Sequence, residues 1–439
     1  MHKSQMKNMR GKVVLSVIAM AVLVGYFIGK RFFPSENFST FELVILAGLI
    51  IIFLGTLIAA NIQLLFALFS RVKEERLSKF GGWAISLVIF AVLIAGFLLA
   101  SQMNASTPPI LDIDGNKMKG SIAALEKVNL GGVDQWLIIR GQDVNKPVLL
   151  FLSGGPGASE AARVLRFNQE LEKHFVVVIW EQRGCGKSYP SINPKSDLTL
   201  NQYESDIIEL SEMLGERFDE EKIYLVGHSW GTIIGVHAAK ARPDLFHAYV
   251  GTAQMVDVLE TDQIIYDIVM DYSQTTGDTV FVNTLELQGK PPYFGKSPIQ
   301  PYSTLFGREY AIFEIPNIKN DEYRRDGDIL MLMLKQPEYG WLDRAYYLLG
   351  LMNTFNVVYP QLQKMDFRQD ATEFNLPVYL ILGRHDMNNP SQIPEEYFSL
   401  LTAPRKQLFF FEDSGHGMIW EEAEKFHDIL INIVLPETY

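Results

Sequence analysis

A serine, an aspartate and a histidine follow one another along this chain, each in a short glycine-containing stretch behind an apolar run. They are Ser229 in Gly227-His228-Ser229-Trp230-Gly231, Asp386 in Gly383-Arg384-His385-Asp386, and His416 in Ser414-Gly415-His416-Gly417. A serine hydroxyl is a poor nucleophile until a base takes its proton, and the base must be oriented by an acid. Serine, aspartate, histidine is one of the chain orders in which such a triad occurs. Ser229 is therefore the candidate nucleophile, His416 the base and Asp386 the orienting acid. The oxyanion formed by attack needs two N–H donors. Trp230, directly after the nucleophile, offers one. Gly155, in the loop Ser153-Gly154-Gly155-Pro156-Gly157, offers the other.

Each candidate has rivals. His385 adjoins Asp386 and competes with His416, and Asp413 competes with Asp386. His228 is locked in the pentapeptide, His237, His247 and His427 belong to helix or strand surfaces, His174 precedes a strand, and His2 lies at the N-terminus. Arg183-Gly184-Cys185-Gly186-Lys187-Ser188 ends like a phosphate-binding loop. Glu181 stands where that loop needs its first glycine, and no helix start follows.

These residues need a scaffold that delivers them to one edge. Lys222–Val226 is an apolar, β-branched run that predicts a buried strand, and Thr232–Ala241 predicts a helix ending before Pro243. Strand, Gly-x-Ser-x-Gly, helix is the setting of a nucleophile elbow. Glu126–Leu130 and Gln135–Arg140, parted by Gly131-Gly132, predict a hairpin. Pro147–Leu152, Phe175–Trp180, Ala248–Gly251, Pro377–Leu382 and Lys406–Phe411 predict further strands, several apolar throughout as in a sheet covered on both faces. Helices are expected at Ala158–Lys173, Leu200–Phe218 and near Glu421–Val434. The alternation stops from 254 to 370, an aromatic, helical stretch with proline breaks. The pattern is α/β: an open, mostly parallel sheet with helices on both faces, built from 125–253 and 371–439 and interrupted by a cap over 254–370. Ligands bind beyond the carboxyl ends of such strands, where the cap closes.

The first hundred residues obey another rule. Val13–Gly29, Leu43–Ala60 (extendable through the uncharged 61–70) and Trp83–Ala100 are uncharged apolar stretches of about 17 to 18 residues, each nearly long enough to cross a bilayer core. Three transmembrane helices are expected, at about 13–29, 43–65 and 83–100, then a linker over 101–124. Lys3, Lys7, Arg10 and Lys12 precede the first, and Arg71, Lys73, Arg76 and Lys79 separate the second and third. The positive-inside rule puts the N-terminus in the cytoplasm and everything after residue 100 outside.

Of 39 basic and 51 acidic residues, ten and four lie before residue 101, leaving 29 against 47 and a net charge of −18 beyond the membrane segment. That balance argues against nucleic acid as a partner. Cys185 is the only cysteine, so neither an intramolecular disulfide nor a cysteine-based metal cluster can form. No His-x-x-x-His or His-Glu-x-x-His spacing points to zinc. No metal and no cofactor are expected.

Ser153–Gly157, Trp180-Glu181-Gln182-Arg183-Gly184-Cys185-Gly186-Lys187-Ser188, Gly227–Gly231, Gly383–Asp386 and Ser414–His416 together resemble the proline iminopeptidase branch of the α/β-hydrolases. The resemblance covers roughly 125–250 and 375–435. It implies an α/β-hydrolase fold with a helical cap and a metal-free peptidase that removes amino-terminal residues. Two positions depart from the pattern, Ser153 replacing histidine and Glu181 replacing aspartate. The cap also lacks the family's Trp-x-x-Trp-Glu, whose glutamate helps hold the substrate's amino group. Asp257, Glu260, Asp262, Glu309, Glu314 and Glu338 are the acids that can replace it, and the sequence does not choose among them. The expectation is a membrane-anchored serine hydrolase facing outward, acting on short peptides. The alternatives are an esterase or amidase using small lipophilic esters, and a non-catalytic receptor.

Overall fold

Two long apolar helices, α1 (Phe38–Phe69) and α2 (Lys73–Met103), pack against each other in the computed structural model, which describes residues 17, 20–21, 23–30, 38–69, 73–191 and 198–439. Thr40–Phe69 and Leu77–Met103 are long and apolar enough to cross a membrane. Their outer surfaces are themselves apolar: Ile51 is 69% exposed and Phe69 83%. Water does not favour such a surface over 30 residues, and lipid does. The first expected span, Val13–Gly29, lies largely outside the described residues. Residues 23–30 are helical, and Leu23 and Phe27 pack with Leu93 and Phe97.

This apolar unit includes one stretch that the sequence placed in the cap. Residues 333–343 cluster with the segment up to Ser106, while 107–332 and 344–439 form the second unit. Glu42, fully buried on α1, accepts from Lys30 Nζ at 2.6 Å and from Trp341 Nε1 at 3.1 Å. Ser101 Oγ accepts from the Trp341 N–H at 3.1 Å, and Gln102 donates to Asp343 at 2.9 Å. Paired polar groups such as these are what an apolar bundle tolerates. Hydropathy along a cap sequence does not reveal such partners.

The second unit is built on one eight-stranded sheet. Its strands are β1 (Ile122–Leu130), β2 (Val133–Gly141), β3 (Val148–Leu152), β4 (Val176–Glu181), β5 (Ile223–His228), β6 (Phe246–Thr252), β7 (Val378–Gly383) and β8 (Lys406–Phe411). They lie in the order β1-β2-β4-β3-β5-β6-β7-β8. The β1–β2 hairpin is antiparallel, as is β2 against β4, and every later pairing is parallel. Every residue of β3, β4, β5 and β7 is buried, as their unbroken apolar runs require. Alternation along each strand divides the core in two. Leu150, Leu225 and Leu380 meet residues of α4 (Leu200–Phe218) and α5 (Trp230–Ala241) on one face. Leu149, Phe151 and Val226 meet Ala161, Val164 and the C-terminal Phe426 and Ile429 on the other.

The expected helix Ala158–Lys173 is shorter than its periodicity suggests. It runs Ala161–Phe167 as α3 and continues as a 3-10 turn, Gln169–Lys173. Asn168 makes the break by donating its amide to the Ile419 carbonyl at 2.9 Å, a bond no local pattern announces. Between β6 and β7 the cap contains α6 (Val258–Thr275), α7 (Thr279–Gln288), α8 (Ile299–Glu309), α9 (Asp321–Asp326), α10 (Ile329–Lys335) and α11 (Trp341–Val358).

Arg183 shows where part of the 180–188 motif is spent. It is 2% exposed and clasps Asp206 on α4 through Nε at 2.8 Å and an Nη at 2.9 Å. Gln135 on β2 and Gln202 also donate to Asp206, at 2.7 and 2.8 Å. The following residues, Gly186–Ser191, turn as a 3-10 segment. Breaking a buried pair strands a charge, which costs about 3–5 kcal/mol. Asp206→Ala should therefore lose about that much stability in denaturant unfolding of the detergent-solubilised protein. An unchanged midpoint would contradict the assignment.

Candidate active site

β5 delivers the chain to Ser229 and α5 carries it away, so the serine occupies a sharp turn. Its φ is 53° and ψ −120°, a conformation that side chains rarely adopt. The flanking glycines are required by close approach. A Cβ on Gly231 would overlap the Leu152 carbonyl oxygen at the end of β3, and one on Gly227 would come within 2.6 Å of the Gly231 carbonyl oxygen. The Ser229 N–H donates to Thr252 O at 3.0 Å, fixing the turn to β6. His228 and Trp230 are buried while Ser229 is partly open.

Asp386 follows β7 and His416 follows β8. His416 Nδ1 lies 3.0 and 3.1 Å from the two Asp386 oxygens, and Asp386 also accepts from the Asn389 N–H at 2.7 Å. The rival acid Asp413 instead pairs with Lys319 at the surface. His416 is held on both sides of its peptide: its N–H donates to Glu314 at 2.8 Å, and its carbonyl faces His228 Nε2 at 2.9 Å. The serine–histidine link is not closed. Neither the Ser229 hydroxyl nor His416 Nε2 has a hydrogen-bond partner among the described residues, and catalytic hydrogen bonds often tighten only around substrate.

The oxyanion candidates are available. Gly154 spends its N–H on Glu160 at 2.7 Å. The Gly155 N–H, at φ 130°, has no partner among the described residues. Trp230 opens α5, so its N–H has no partner within the helix. The Trp230 indole donates to Gln182 at 2.9 Å, and Gln182 donates to Ser153 O at 2.9 Å. Position 153 thus contributes its backbone to the loop. Glu181, where the resembled family carries aspartate, accepts from the Ser159 hydroxyl and from the Lys187 N–H at 3.0 Å.

The structure separates the six candidate acids. Arg368 engages Asp257 at 3.1 Å and Glu260 at 2.5 Å. Asp262 accepts from Tyr359 at 2.7 Å and Gln363 at 3.2 Å, and burial pushes it up to about 7. Glu338 falls in the 333–343 stretch of the other unit. Glu309 and Glu314 remain, both fully buried. Among the described residues, no donor outside the pair reaches either Glu309 oxygen or Glu314 Oε1. A π turn, Tyr310–Glu314, sets residues five apart above one another, and such turns recur at functional sites. Ordinary helical periodicity would have put the two on different faces, which is why spacing alone did not find the pair.

The electrostatics follow from this crowding. Burial, then Asp386, pushes Glu309 up to about 8, and burial, then Glu309 and Asp386, drives Glu314 well above the carboxylate range. Two such acids in contact share a proton. Burial works against a charged His416, yet Asp386, Glu314 and Glu160 outweigh it and lift the imidazole to about 9. Among the described residues, no cluster of His, Cys, Asp and Glu is placed to hold a metal ion. The His416 shift predicts a pH effect. An imidazole at about 9 folded and about 6.5 unfolded favours the fold fully below pH 6.5 and loses that contribution as pH rises through 9. Across that window the melting temperature of the wild type should fall more than that of His416→Ala, and parallel pH curves would contradict the shift.

Comparison with known proteins agrees with this architecture. Residues 147–423 match the model of the alpha/beta hydrolase fold family. A Bacillus subtilis (strain 168) protein named "Probable aminopeptidase YbaC" is 32% identical over 312 residues, covering 71% of this chain and 96% of its own length. The proline iminopeptidase of Heyndrickxia coagulans is 25% identical over 293 residues, covering 64% and 87%. Among solved structures, a membrane phospholipase A described as a bacterial virulence factor superposes with a TM-score of 0.51 at 15% identity, over 79% of this chain and 92% of that one. At that identity the likeness concerns the fold alone. With its strand order, its elbow and these relatives, the chain belongs to the α/β-hydrolase family.

Proposed function

We propose that this protein is a membrane-anchored serine aminopeptidase that releases amino-terminal residues from short peptides. The observation that carries the proposal is the buried Glu309–Glu314 pair beside His416 and Asp386, with three carboxyl oxygens that meet no donor outside the pair among the described residues. Unpaired buried carboxyls are costly, and a substrate ammonium supplies the charge and the donors they lack. The relatives named as aminopeptidases support the same substrate class. The acids differ from the family's tryptophan-flanked glutamate by arising from a π turn at the end of α8.

With the ammonium at Glu309 and Glu314, Ser229 attacks the first peptide carbonyl and His416 takes its proton. Asp386 holds the imidazolium, and the N–H groups of Gly155 and Trp230 stabilise the oxyanion. His416 then protonates the leaving amine, and water releases the acyl group by the same route. The substrate's positive charge offsets the acids that favour a charged imidazole, returning His416 toward the neutral form a base requires. Two described apolar helices are long enough to cross a membrane; only with the further span expected at 13–29 do the basic residues at 71–79 fit a cytoplasmic N-terminus and an outward catalytic unit.

The test is a panel of aminoacyl amides, their N-acetylated forms and simple acyl esters. Losing a hydrogen bond to a charged group costs about 1.5–3 kcal/mol, so Glu309→Gln and Glu314→Gln should raise KM for free-amine substrates about 10- to 100-fold. The rise should be absent from substrates without the amine. Preference of the wild type for acyl esters or N-acetylated amides would overturn the peptidase proposal in favour of an esterase or amidase.

A further inference from the structure

We propose that His228 and Glu160 form a positioning pair that holds the oxyanion loop, the nucleophile and the base in one register. The proposal rests on the serine-hydrolase assignment of Ser229 and His416 above. Glu160 precedes α3 and is 7% exposed, and His228, the last residue of β5, is 2% exposed. One Glu160 oxygen accepts from the Gly154 N–H at 2.7 Å, and the other meets His228 Nδ1 at 2.9 Å. His228 Nε2 meets the His416 carbonyl at 2.9 Å. With Glu160 ionised, both neighbours of the ring accept, so the contacts are satisfied in full when both ring nitrogens donate. Trp420 packs edge-on against the ring at 4.9 Å and fixes its plane.

Three segments thereby meet on two side chains. Gly154 adjoins the Gly155 donor, His228 adjoins Ser229, and the His416 peptide sets where its imidazole can reach. Burial opposes charge on Glu160, but His228 and the Gly154 N–H lower its pKa nonetheless. A buried ion pair is weak evidence of added stability. Geometric specification is what this one supplies, because a displacement of about 1 Å at reacting atoms can cost about a hundredfold in rate.

The chain of donors and acceptors dictates the test. His228→Gln can donate to His416 only by turning its amide oxygen toward the Glu160 carboxylate. Adding Glu160→Gln relieves that clash: the amide at position 160 accepts from Gly154 and donates to the amide at position 228, restoring donor–acceptor alternation from Gly154 to His416 without charge. His228→Gln and the double, in the full-length protein, would be assayed for KM and for kcat per active site titrated with a fluorophosphonate probe. His228→Gln should lose at least about tenfold in kcat per site with KM within about threefold, and the double should recover most of the loss. Wild-type kcat per site in His228→Gln would overturn the positioning role. So would a loss confined to the number of titratable sites, or a double no faster than His228→Gln. A wild type that the probe does not label would instead defeat the underlying hydrolase assignment.

Discussion

The turn at Ser229 is the constraint around which the catalytic unit is arranged. A non-glycine residue at positive φ costs about 1–3 kcal/mol and persists only where its surroundings leave no alternative. Here the surroundings are specific. Gly231 lies against the β3 carboxyl end, the Ser229 N–H is tied to β6, and buried Trp230 connects through Gln182 to the glycine loop. Each neighbour that fixes the turn also carries a part of the site. The same parallel order that brings β3, β5 and β6 together continues to β7 and β8, whose ends deliver Asp386 and His416.

A second constraint is electrostatic. Glu160, Glu309, Glu314, Asp386 and Glu421 all lie close enough to affect the site's charge states. Glu160 is balanced by His228, and Asp386 by His416. Glu421 accepts from the Gly415 N–H at 2.8 Å, and burial foremost raises it to about 7. Of these five, the Glu309–Glu314 pair has neither a cation nor, for three of its oxygens, a donor outside the pair among the described residues. On the proposed function a cationic substrate group supplies both, which would tie substrate choice to the cap and the chemistry to the sheet.

Much of this was legible in the sequence, for definite reasons. Buried parallel strands are continuous apolar runs, so β3, β4, β5 and β7 were recognisable within a residue or two. Glycines at close approaches marked the elbow and the loop before Pro156, and positions just past two strands pointed to Asp386 and His416, whose side chains lie 3.0 Å apart. What stayed hidden depends on distant partners. The acids of the cap looked alike until Arg368, Tyr359 and Gln363 claimed three of them. The π turn joined Glu309 to Glu314 against helical periodicity. His228 looked merely locked in place, since Glu160 lies 68 residues away. The docking of 333–343 with the apolar helices rests on Glu42 and Trp341, nearly 300 residues apart.

The account stands or falls on Ser229 as an activated nucleophile. The most direct measurement is mass-spectrometric mapping of the adduct formed when the full-length protein reacts with a fluorophosphonate. The account predicts one modified residue, Ser229, with modification abolished in Ser229→Ala and strongly slowed in His416→Ala. Modification at another residue, or none in the folded wild type, would contradict it.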